Sequence, residues 1–465
     1  MVVLGDRPTT AVDVVAIARG ERVELAASAR QRIAAARAVV EAALADHEPV
    51  YGLTRELGAG RDTVVDDVVG FQLRVLRNHD AGTGALIPPE QARALIAARL
   101  VGFTLGGSGV SEQWADAWAA LLNAGVVPAV RRGGSVGAAD LTHLAAVARV
   151  VAGEGRTLLD GEVVPASGAL AAVGLAPVAP AASEALASMS SNAYSIGVGC
   201  LVVADAAALP AAADRATALG LAALARHGGG DVAPFAAALH ARPDAAASAA
   251  RIREQLAVPD ERASASRSVQ DPVSFRSAPQ ISGAVAERLD ALRGELEREL
   301  AEPGDNPLVA GGRLLSGGNF QAASLAIAVE SATSALALLA TASERRTAIL
   351  STLQTPLRRS GEALVPGLLT YGASAETAEL KRLAVPVSSQ STPLSAGVED
   401  VAVNTALAVQ HLESAVALVR RVLAVEAATA ADLLESRAGL AADIRALWPA
   451  DDAEAALRAT GALLG

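Results

Sequence analysis

A glycine-rich loop that runs into a helix is the first stretch of this sequence whose residues could do chemistry. Residues 133–144 read Gly-Gly-Ser-Val-Gly-Ala-Ala-Asp-Leu-Thr-His-Leu. The glycines allow backbone angles that other residues resist, and Asp140 is a good N-cap for the apolar, helically spaced residues after it. Free N–H groups at a helix N-terminus attract anions such as a substrate carboxylate. Taken alone, this pattern is more typical of a tight turn than of a binding site.

Three further side chains could take part in chemistry, and each lies beside glycine- or proline-rich loop sequence. They are Tyr51, His79 and Arg276. A tyrosine or histidine can move protons, and the planar guanidinium of arginine binds a carboxylate through two hydrogen bonds. A single tyrosine or histidine is more often a packed structural residue than a catalytic one. Its position relative to the surrounding motifs decides between the two roles.

The glycine loop and its surroundings resemble the histidine and phenylalanine ammonia-lyase family. In that family the loop reads Gly-Ser-Val-Gly-Ala-Ser-Gly-Asp-Leu, and its Ala-Ser-Gly cyclises into methylidene-imidazolone (MIO), the electrophile that activates the substrate. Here only Ala138 and Ala139 lie between Gly137 and Asp140. Alanine has no hydroxyl to lose as water. We therefore expect that the MIO group is absent, with no other cofactor and no metal in its place.

Other motifs resemble the family in the same order along nearly the whole chain. The resemblance implies that Tyr51 is the catalytic base, that His79 is the active-site histidine and that Arg276 binds the substrate carboxylate. Glu399 belongs to an acidic pair that is either catalytic or caps a long helix, and both alternatives stay open. The remaining positions matched to the substrate pocket are Ala138, Ala139, Asn192, Asn306, Phe320 and Gln321.

Composition excludes several classes of function. The chain of 465 residues has a net charge of −11, the wrong sign for a nucleic-acid-binding protein. Neither a secretory signal nor a long uninterrupted apolar run is evident, so no membrane partner is expected. The single cysteine, Cys200, excludes an internal disulfide and favours a reducing, cytoplasmic location.

The hydrophobic periodicity predicts a mainly α protein, with an N-terminal helical domain over 1–200 and a long-helix bundle over 201–465. The N-terminal domain carries the Tyr51 loop and the Gly133–Asp140 loop. A β-hairpin with an Asp-Gly turn is predicted at 156–164. The predicted helices lie at 10–47, 64–77, 90–124, 183–226, 282–301, 320–350 and 398–436. As in the resembled family, small β-hairpins and active-site loops at helix ends complete this fold.

Two functional hypotheses follow from the resemblance and from the departure at Ala138 and Ala139. The first is an MIO-independent lyase or cyclase of secondary metabolism, not a conventional ammonia-lyase. In it Tyr51 is the acid/base for elimination, addition or cyclisation on a small carboxylate- or carbonyl-bearing molecule. The second is a non-catalytic homologue that binds a ligand or assembles with an active relative. The resemblance also implies a homotetramer whose active sites are shared between subunits.

Overall fold

The computed structural model describes residues 1–256, 269–436 and 438–465. About 61% of the protein is helical and its few strands form small sheets, which confirms the predicted mainly α fold. The loop predicted at 259–268 lies outside the described residues.

The chain folds into two compact units, and neither is continuous in sequence. The first comprises Met1–Ala204, Arg293–Ile327 and Pro386–Gln410; the second comprises Asp205–Leu292, Ala328–Val385 and His411–Gly465. The division into 1–200 and 201–465 expected from the sequence stays a prediction.

The helices of the first two hundred residues are short, and local sequence explains several of their ends. Thr10 and Asp13 form a capping box at the start of α1. The Ser111 hydroxyl caps α5 by accepting a hydrogen bond from the Trp114 amide, and Gly125 ends that helix in a left-handed conformation. These helices are Ala11–Ala18 (α1), Ala27–Ala45 (α2), Val68–His79 (α3), Pro89–Thr104 (α4), Glu112–Ala124 (α5), Leu141–Val151 (α6), Ala166–Ala172 (α7), Glu184–Met189 (α8) and Ala193–Ala206 (α9).

The later helices include three long ones, α14, α15 and α18, where long helices are predicted. The start of α18 differs from the prediction: it begins at Thr405 rather than near 398, because Leu394 and Glu399 pair in an antiparallel bridge and Asn404 has a φ of 50°. These helices are Leu209–Ala225 (α10), Ala233–Ala238 (α11), Pro243–Gln255 (α12), Val273–Arg276 (α13), Ala278–Ala301 (α14), Ala323–Leu353 (α15), Thr355–Ser360 (α16), Leu369–Leu383 (α17), Thr405–Leu434 (α18), Leu440–Arg445 (α19) and Ala453–Leu464 (α20).

The strands named below are short, and all of their pairings except one are antiparallel. The predicted hairpin is formed by β6 and β7, with Asp160 and Gly161 both at positive φ as a tight two-residue turn requires. The exception is the parallel pair of β1 and β2, which interrupts the region predicted as helix over 10–47. The strands are Val2–Leu4 (β1), Val23–Leu25 (β2), Thr83–Leu86 (β3), Val127–Pro128 (β4), Arg131–Gly133 (β5), Arg156–Leu159 (β6), Glu162–Pro165 (β7), Leu308–Ala310 (β8) and Arg313–Leu315 (β9).

Two helical stretches, 184–225 and 323–353, are long and apolar enough to cross a membrane by length and composition. Within the most apolar window of each, 72% and 56% of the residues are buried inside the protein. The same composition is found in core helices of bundles, which must be apolar on most of their surface. The two stretches are therefore weak evidence for a membrane span.

A half-buried carboxyl group on α14, that of Glu299, gives the fold a pH-dependent stability. Burial, with smaller contributions from Glu295 and Glu302, raises the pKa of Glu299 to about 7. The folded protein therefore binds this proton more tightly than the unfolded chain does. The resulting contribution to the free energy of unfolding is lost as pH rises from the pKa of Glu299 in the unfolded chain to its pKa of about 7 in the folded protein.

Glu299→Gln should remove this loss, so the variant should be more stable than wild type at pH 8 by roughly 1–3 kcal/mol. At pH 5 the two proteins should be nearly equal in stability. Urea unfolding at both pH values measures the difference. Glu48→Gln, at an exposed position, is the control. An equal gain at both pH values would show that Glu299 does not titrate in this range.

Candidate active site

A small cavity in the first unit brings together most of the residues predicted for the active site. Its volume is about 90 Å³, which holds part of an amino acid but not the whole molecule. Of the predicted residues, seven line it: Tyr51, His79, Ala138, Ala139, Asn306, Phe320 and Glu399. The sequence analysis missed its other lining residues, which are Leu57, Gly58, Leu141, Leu186, Ser190 and Ser395.

Tyr51 is held in the cavity wall by its own loop. Its hydroxyl oxygen accepts a hydrogen bond from the Gly58 amide at 2.8 Å. Gly52 has a φ of +72°, and a Cβ there would lie 2.3 Å from the Leu186 side chain, so only glycine allows this close approach. The loop sequence therefore fixes where the Tyr51 hydroxyl lies.

The electrostatic surroundings of Tyr51 favour the neutral phenol. Burial raises the pKa of Tyr51, the nearby Glu399 carboxylate raises it further, and the Gly58 amide partly opposes both. A tyrosine that acts as a base near neutral pH needs a lowered pKa, and the net effect of these surroundings is in the opposite direction. The positive charge of Arg61 lowers the pKa of Tyr51 to a small extent, and a cation bound in the cavity would lower it further.

His79 is the last residue of α3, and its ring orientation is set by a backbone contact. Nδ1 lies 2.8 Å from the Val75 carbonyl oxygen. In the neutral ring Nδ1 therefore carries the proton and Nε2 carries the lone pair. The carboxylate of Asp80, the next residue, accepts a hydrogen bond from Arg149 at 2.5 Å. Its carboxylate is therefore committed to α6.

Hydrogen bonds to Asp140 and close packing at Gly137 hold the glycine-rich loop in place, and two alanines of the loop line the cavity. The buried Asp140 carboxylate accepts hydrogen bonds from the Ser135 hydroxyl and the Ser195 amide, both at 2.8 Å. It does not cap α6 with its side chain, in contrast to the prediction. Gly137 has a φ of +84°, and a Cβ there would lie 2.7 Å from the Asn404 nitrogen. The turn then leaves Ala138 and Ala139 on the cavity wall.

Glu399 is a cavity residue rather than a helix cap. It lies before the start of α18 and pairs with Leu394 in the antiparallel bridge. Burial, and to a smaller extent the neighbouring Asp400, raises the pKa of Glu399. A half-buried carboxylate of this kind favours a bound cation or N–H donor. Of the two alternatives for Glu399, the structure removes the helix cap.

Hydrogen bonds that involve the backbone fix Asn306 and two of the three predicted residues that do not line the cavity. The backbone N–H of Asn306 donates to the Ser190 hydroxyl at 2.8 Å. Asn192 lies behind the wall and donates through Nδ2 to the Phe320 carbonyl at 2.5 Å. Gln321 donates through Nε2 to the Val401 carbonyl at 3.1 Å. Substrate contact by Asn192 and Gln321 stays a prediction, while their observed contacts support the cavity wall.

Arg276 belongs to the second unit, where it is the last residue of α13. It is not among the residues that line the cavity. Its Nε atom is buried and has no hydrogen-bond partner in the described part of the chain. Buried N–H groups normally have a partner. The guanidinium therefore has capacity for a further acceptor, and its predicted role as a carboxylate ligand stays a prediction.

Residues 1–256, 269–436 and 438–465 contain no group of three or more His, Cys, Asp or Glu side chains placed to hold a metal ion.

Comparison with known proteins gives matches along almost the entire chain. The model of the aromatic amino acid lyase family matches residues 9–459. A histidine ammonia-lyase from Streptomyces griseus is 38% identical and covers 99% of this chain and 92% of its own.

Two solved structures show the same fold. The histidine ammonia-lyase from Trypanosoma cruzi is 26% identical, with a TM-score of 0.84 over 99% of this chain and 92% of its own. The ergothionase from Treponema denticola, at 24% identity, has a TM-score of 0.88 over 100% of this chain and 98% of its own. The second similarity concerns the fold alone. The predicted ammonia-lyase-like architecture is confirmed.

These comparisons contradict the predicted MIO-independent lyase or cyclase. Relatives with this identity over nearly the whole chain are histidine ammonia-lyases, which indicates a conventional ammonia-lyase. The prediction that the MIO group is absent is contradicted on the same ground, because nothing in the comparisons marks this chain as a divergent form without it. Both predictions came from two positions, Ala138 and Ala139, and the similarity of the whole chain outweighs them.

The residues of the loop themselves do not fit the MIO group as the resembled family forms it. Ala138 and Ala139 are buried against the cavity, and neither side chain has a hydroxyl that could leave as water. Asp140, next in the chain, holds Ser135 and Ser195. No step of the reaction proposed below is assigned to that group.

Two comparisons of the sequence place the chain in the family. The family model covers most of the sequence, and a relative at 38% identity extends along both chains. The local departures lie at single positions, while the loops that carry Tyr51, His79 and Glu399 form one cavity. The chain belongs to the aromatic amino acid lyase family.

Proposed function

We propose that this protein is an ammonia-lyase that acts on L-histidine or a closely similar amino acid. The reaction removes the α-ammonium group and one β-hydrogen, and it yields an α,β-unsaturated acid and an ammonium ion. One observation carries the proposal: similarity to a histidine ammonia-lyase along 99% of the chain. The cavity that contains Tyr51, His79 and Glu399 supports it.

The proposed roles follow from the charges in the cavity. The Glu399 carboxylate accepts a hydrogen bond from the substrate's ammonium group or imidazole N–H. The ammonium cation offsets the Glu399 charge, which adds to the effect of burial in raising the pKa of Tyr51. Binding of the ammonium group therefore favours proton exchange by the phenol. The lone pair on Nε2 of His79 accepts a further hydrogen bond, and the Asn306 side chain contributes polar contacts.

Arg276 supplies the carboxylate ligand in this proposal, from another copy of the chain in a homotetramer. The buried Nε of Arg276, which has no partner in the described part of the chain, supports its role as the carboxylate ligand. Exposed apolar side chains on α15 support assembly into a homotetramer, since Ile327 is 63% and Leu338 is 52% exposed. Apolar surface of this kind marks contact with another protein. A cytoplasmic location, supported by the single buried cysteine Cys200, completes the proposal.

The experiment is an assay for ammonia and the unsaturated acid, with L-histidine and L-phenylalanine as separate substrates. We expect product from L-histidine. Glu399→Gln should raise KM for L-histidine about tenfold or more, because a hydrogen bond to a charged group is worth about 1.5–3 kcal/mol. Asp62→Asn, which changes an exposed carboxylate, is the control. Deamination of L-phenylalanine in preference to L-histidine would contradict the substrate class.

A further inference from the structure

A fully buried ion pair in the second unit lies outside the site described above. Glu426 on α18 is 0% exposed, and Arg346 on α15 is 1% exposed. Arg346 donates to the two carboxylate oxygens through Nε at 2.5 Å and Nη2 at 2.8 Å. The Ser343 hydroxyl donates to the same carboxylate at 2.6 Å. Buried charges are tolerated when their hydrogen bonds are made, as they are here.

The guanidinium of Arg346 has one more donor, and it reaches the turn that carries Arg276. Its Nη1 atom donates to the Ser274 carbonyl oxygen at 2.9 Å. Ser274 belongs to α13, a helix of only four residues. A helix this short has no stability of its own, so its position depends on tertiary contacts.

The side chain of Phe275 also holds this turn, and it lies close to Gly220 on α10. The Phe275 ring is 0% exposed and packs in the apolar cluster with Leu221, Leu350 and Leu433. At Gly220 on α10, an added Cβ would lie 3.2 Å from the Phe275 ring and 3.5 Å from a Glu426 oxygen. The absence of a side chain at Gly220 therefore lets α10 approach both.

We infer that Arg346 is a positioning residue for Arg276. Glu426 fixes the Arg346 guanidinium, Arg346 fixes the Ser274 carbonyl, and the turn then holds the Arg276 guanidinium ready to bind a substrate carboxylate. The inference rests on the proposed function only in the identity of that ligand. A planar, forked guanidinium is required, because a lysine at 346 keeps the charge beside Glu426 but cannot make all three contacts.

Amide hydrogen exchange tests the positioning without any reference to catalysis. The amides of Phe275, Arg276 and Ser277 are hydrogen-bonded within the turn. Arg346→Lys should speed exchange in the peptide over 272–278 by about tenfold. Arg421→Lys, which alters a partly exposed ion pair between Arg421 on α18 and Glu376 on α17, is the control and should leave the exchange unchanged. Unchanged exchange in Arg346→Lys would overturn the inference.

Should Arg346→Lys not fold, Gly220→Ala is the second variant, because its added Cβ would lie 3.2 Å from the Phe275 ring and would displace that ring without removing a charge. It should also speed exchange over 272–278. Unchanged exchange in this folded variant would equally overturn the inference.

A double-mutant cycle tests whether Arg346 acts through Arg276. Arg346→Lys alone should raise KM for L-histidine about five- to twentyfold with kcat within about twofold of wild type. In the Arg276→Ala background the same change should have no further effect on KM, whereas a general structural role would give additive effects and would overturn the inference. Absence of turnover in wild type would refute the proposed function, and the exchange result would still decide the positioning.

Discussion

Tyr51→Phe should lower kcat for ammonia release from L-histidine by about 10²–10⁴, the usual contribution of a general acid or base. The substitution removes only the phenolic hydroxyl, which accepts one hydrogen bond from the Gly58 amide. Loss of that bond should cost about 1 kcal/mol of stability, so the fold should persist. Affinity for L-histidine should stay within a few-fold of wild type, because the ring remains in the cavity wall.

Steady-state kinetics and calorimetric binding on the same preparation measure the two effects separately. Tyr371→Phe is the matched control, since Tyr371 lies on α17 with 73% of its surface exposed. It should change neither quantity. Full turnover in Tyr51→Phe would show that Tyr51 is not the acid/base, and His79 or Glu399 would be the next candidates.

Arg276→Lys should weaken binding of L-histidine by about 1–3 kcal/mol, or roughly 5- to 150-fold. Lysine keeps the positive charge but loses the planar pair of donors that matches a carboxylate. The buried Nε of Arg276, which has no partner in the described part of the chain, is the group whose loss is expected to matter.

Calorimetric titration of the purified protein with L-histidine measures this change. Arg359→Lys, an exposed arginine on α16, is the control and should bind as wild type does. Equal affinity of wild type, Arg276→Lys and Arg276→Ala would mean that Arg276 does not bind the carboxylate.

Much of the fold could be predicted from the sequence, because long helices and tight turns are local features. The apolar periodicity located α14 and α15, and the Asp160-Gly161 pair located the hairpin of β6 and β7. The parallel pairing of β1 with β2 was missed, since each strand has three residues and its partner lies about twenty residues away. Strands this short carry almost no periodicity.

Motif residues such as Tyr51 and Glu399 could be matched one at a time from the sequence, and both line the cavity, while their roles stay predictions. Which of them line the cavity could not be predicted. Asn192 supports the Phe320 backbone instead of facing the cavity, and Ser190 takes the lining position. Such exchanges depend on the exact start of a helix, here α9, which sequence patterns locate only to within a few residues.

The functional prediction failed for a different reason. The prediction against a conventional ammonia-lyase was based on Ala138 and Ala139, although the motifs matched along nearly the whole chain. A histidine ammonia-lyase at 38% identity over 99% of the chain reverses that judgement. Side-chain chemistry at two positions is informative about a step, but it does not by itself determine the class of reaction.

Quantification of both products from one substrate tests the central claim most directly. Purified protein is incubated with L-histidine, and ammonium ion and α,β-unsaturated acid are measured over time by nuclear magnetic resonance. The account predicts that the two accumulate in equal amounts and that both depend on Tyr51. Binding of L-histidine without release of either product would contradict it.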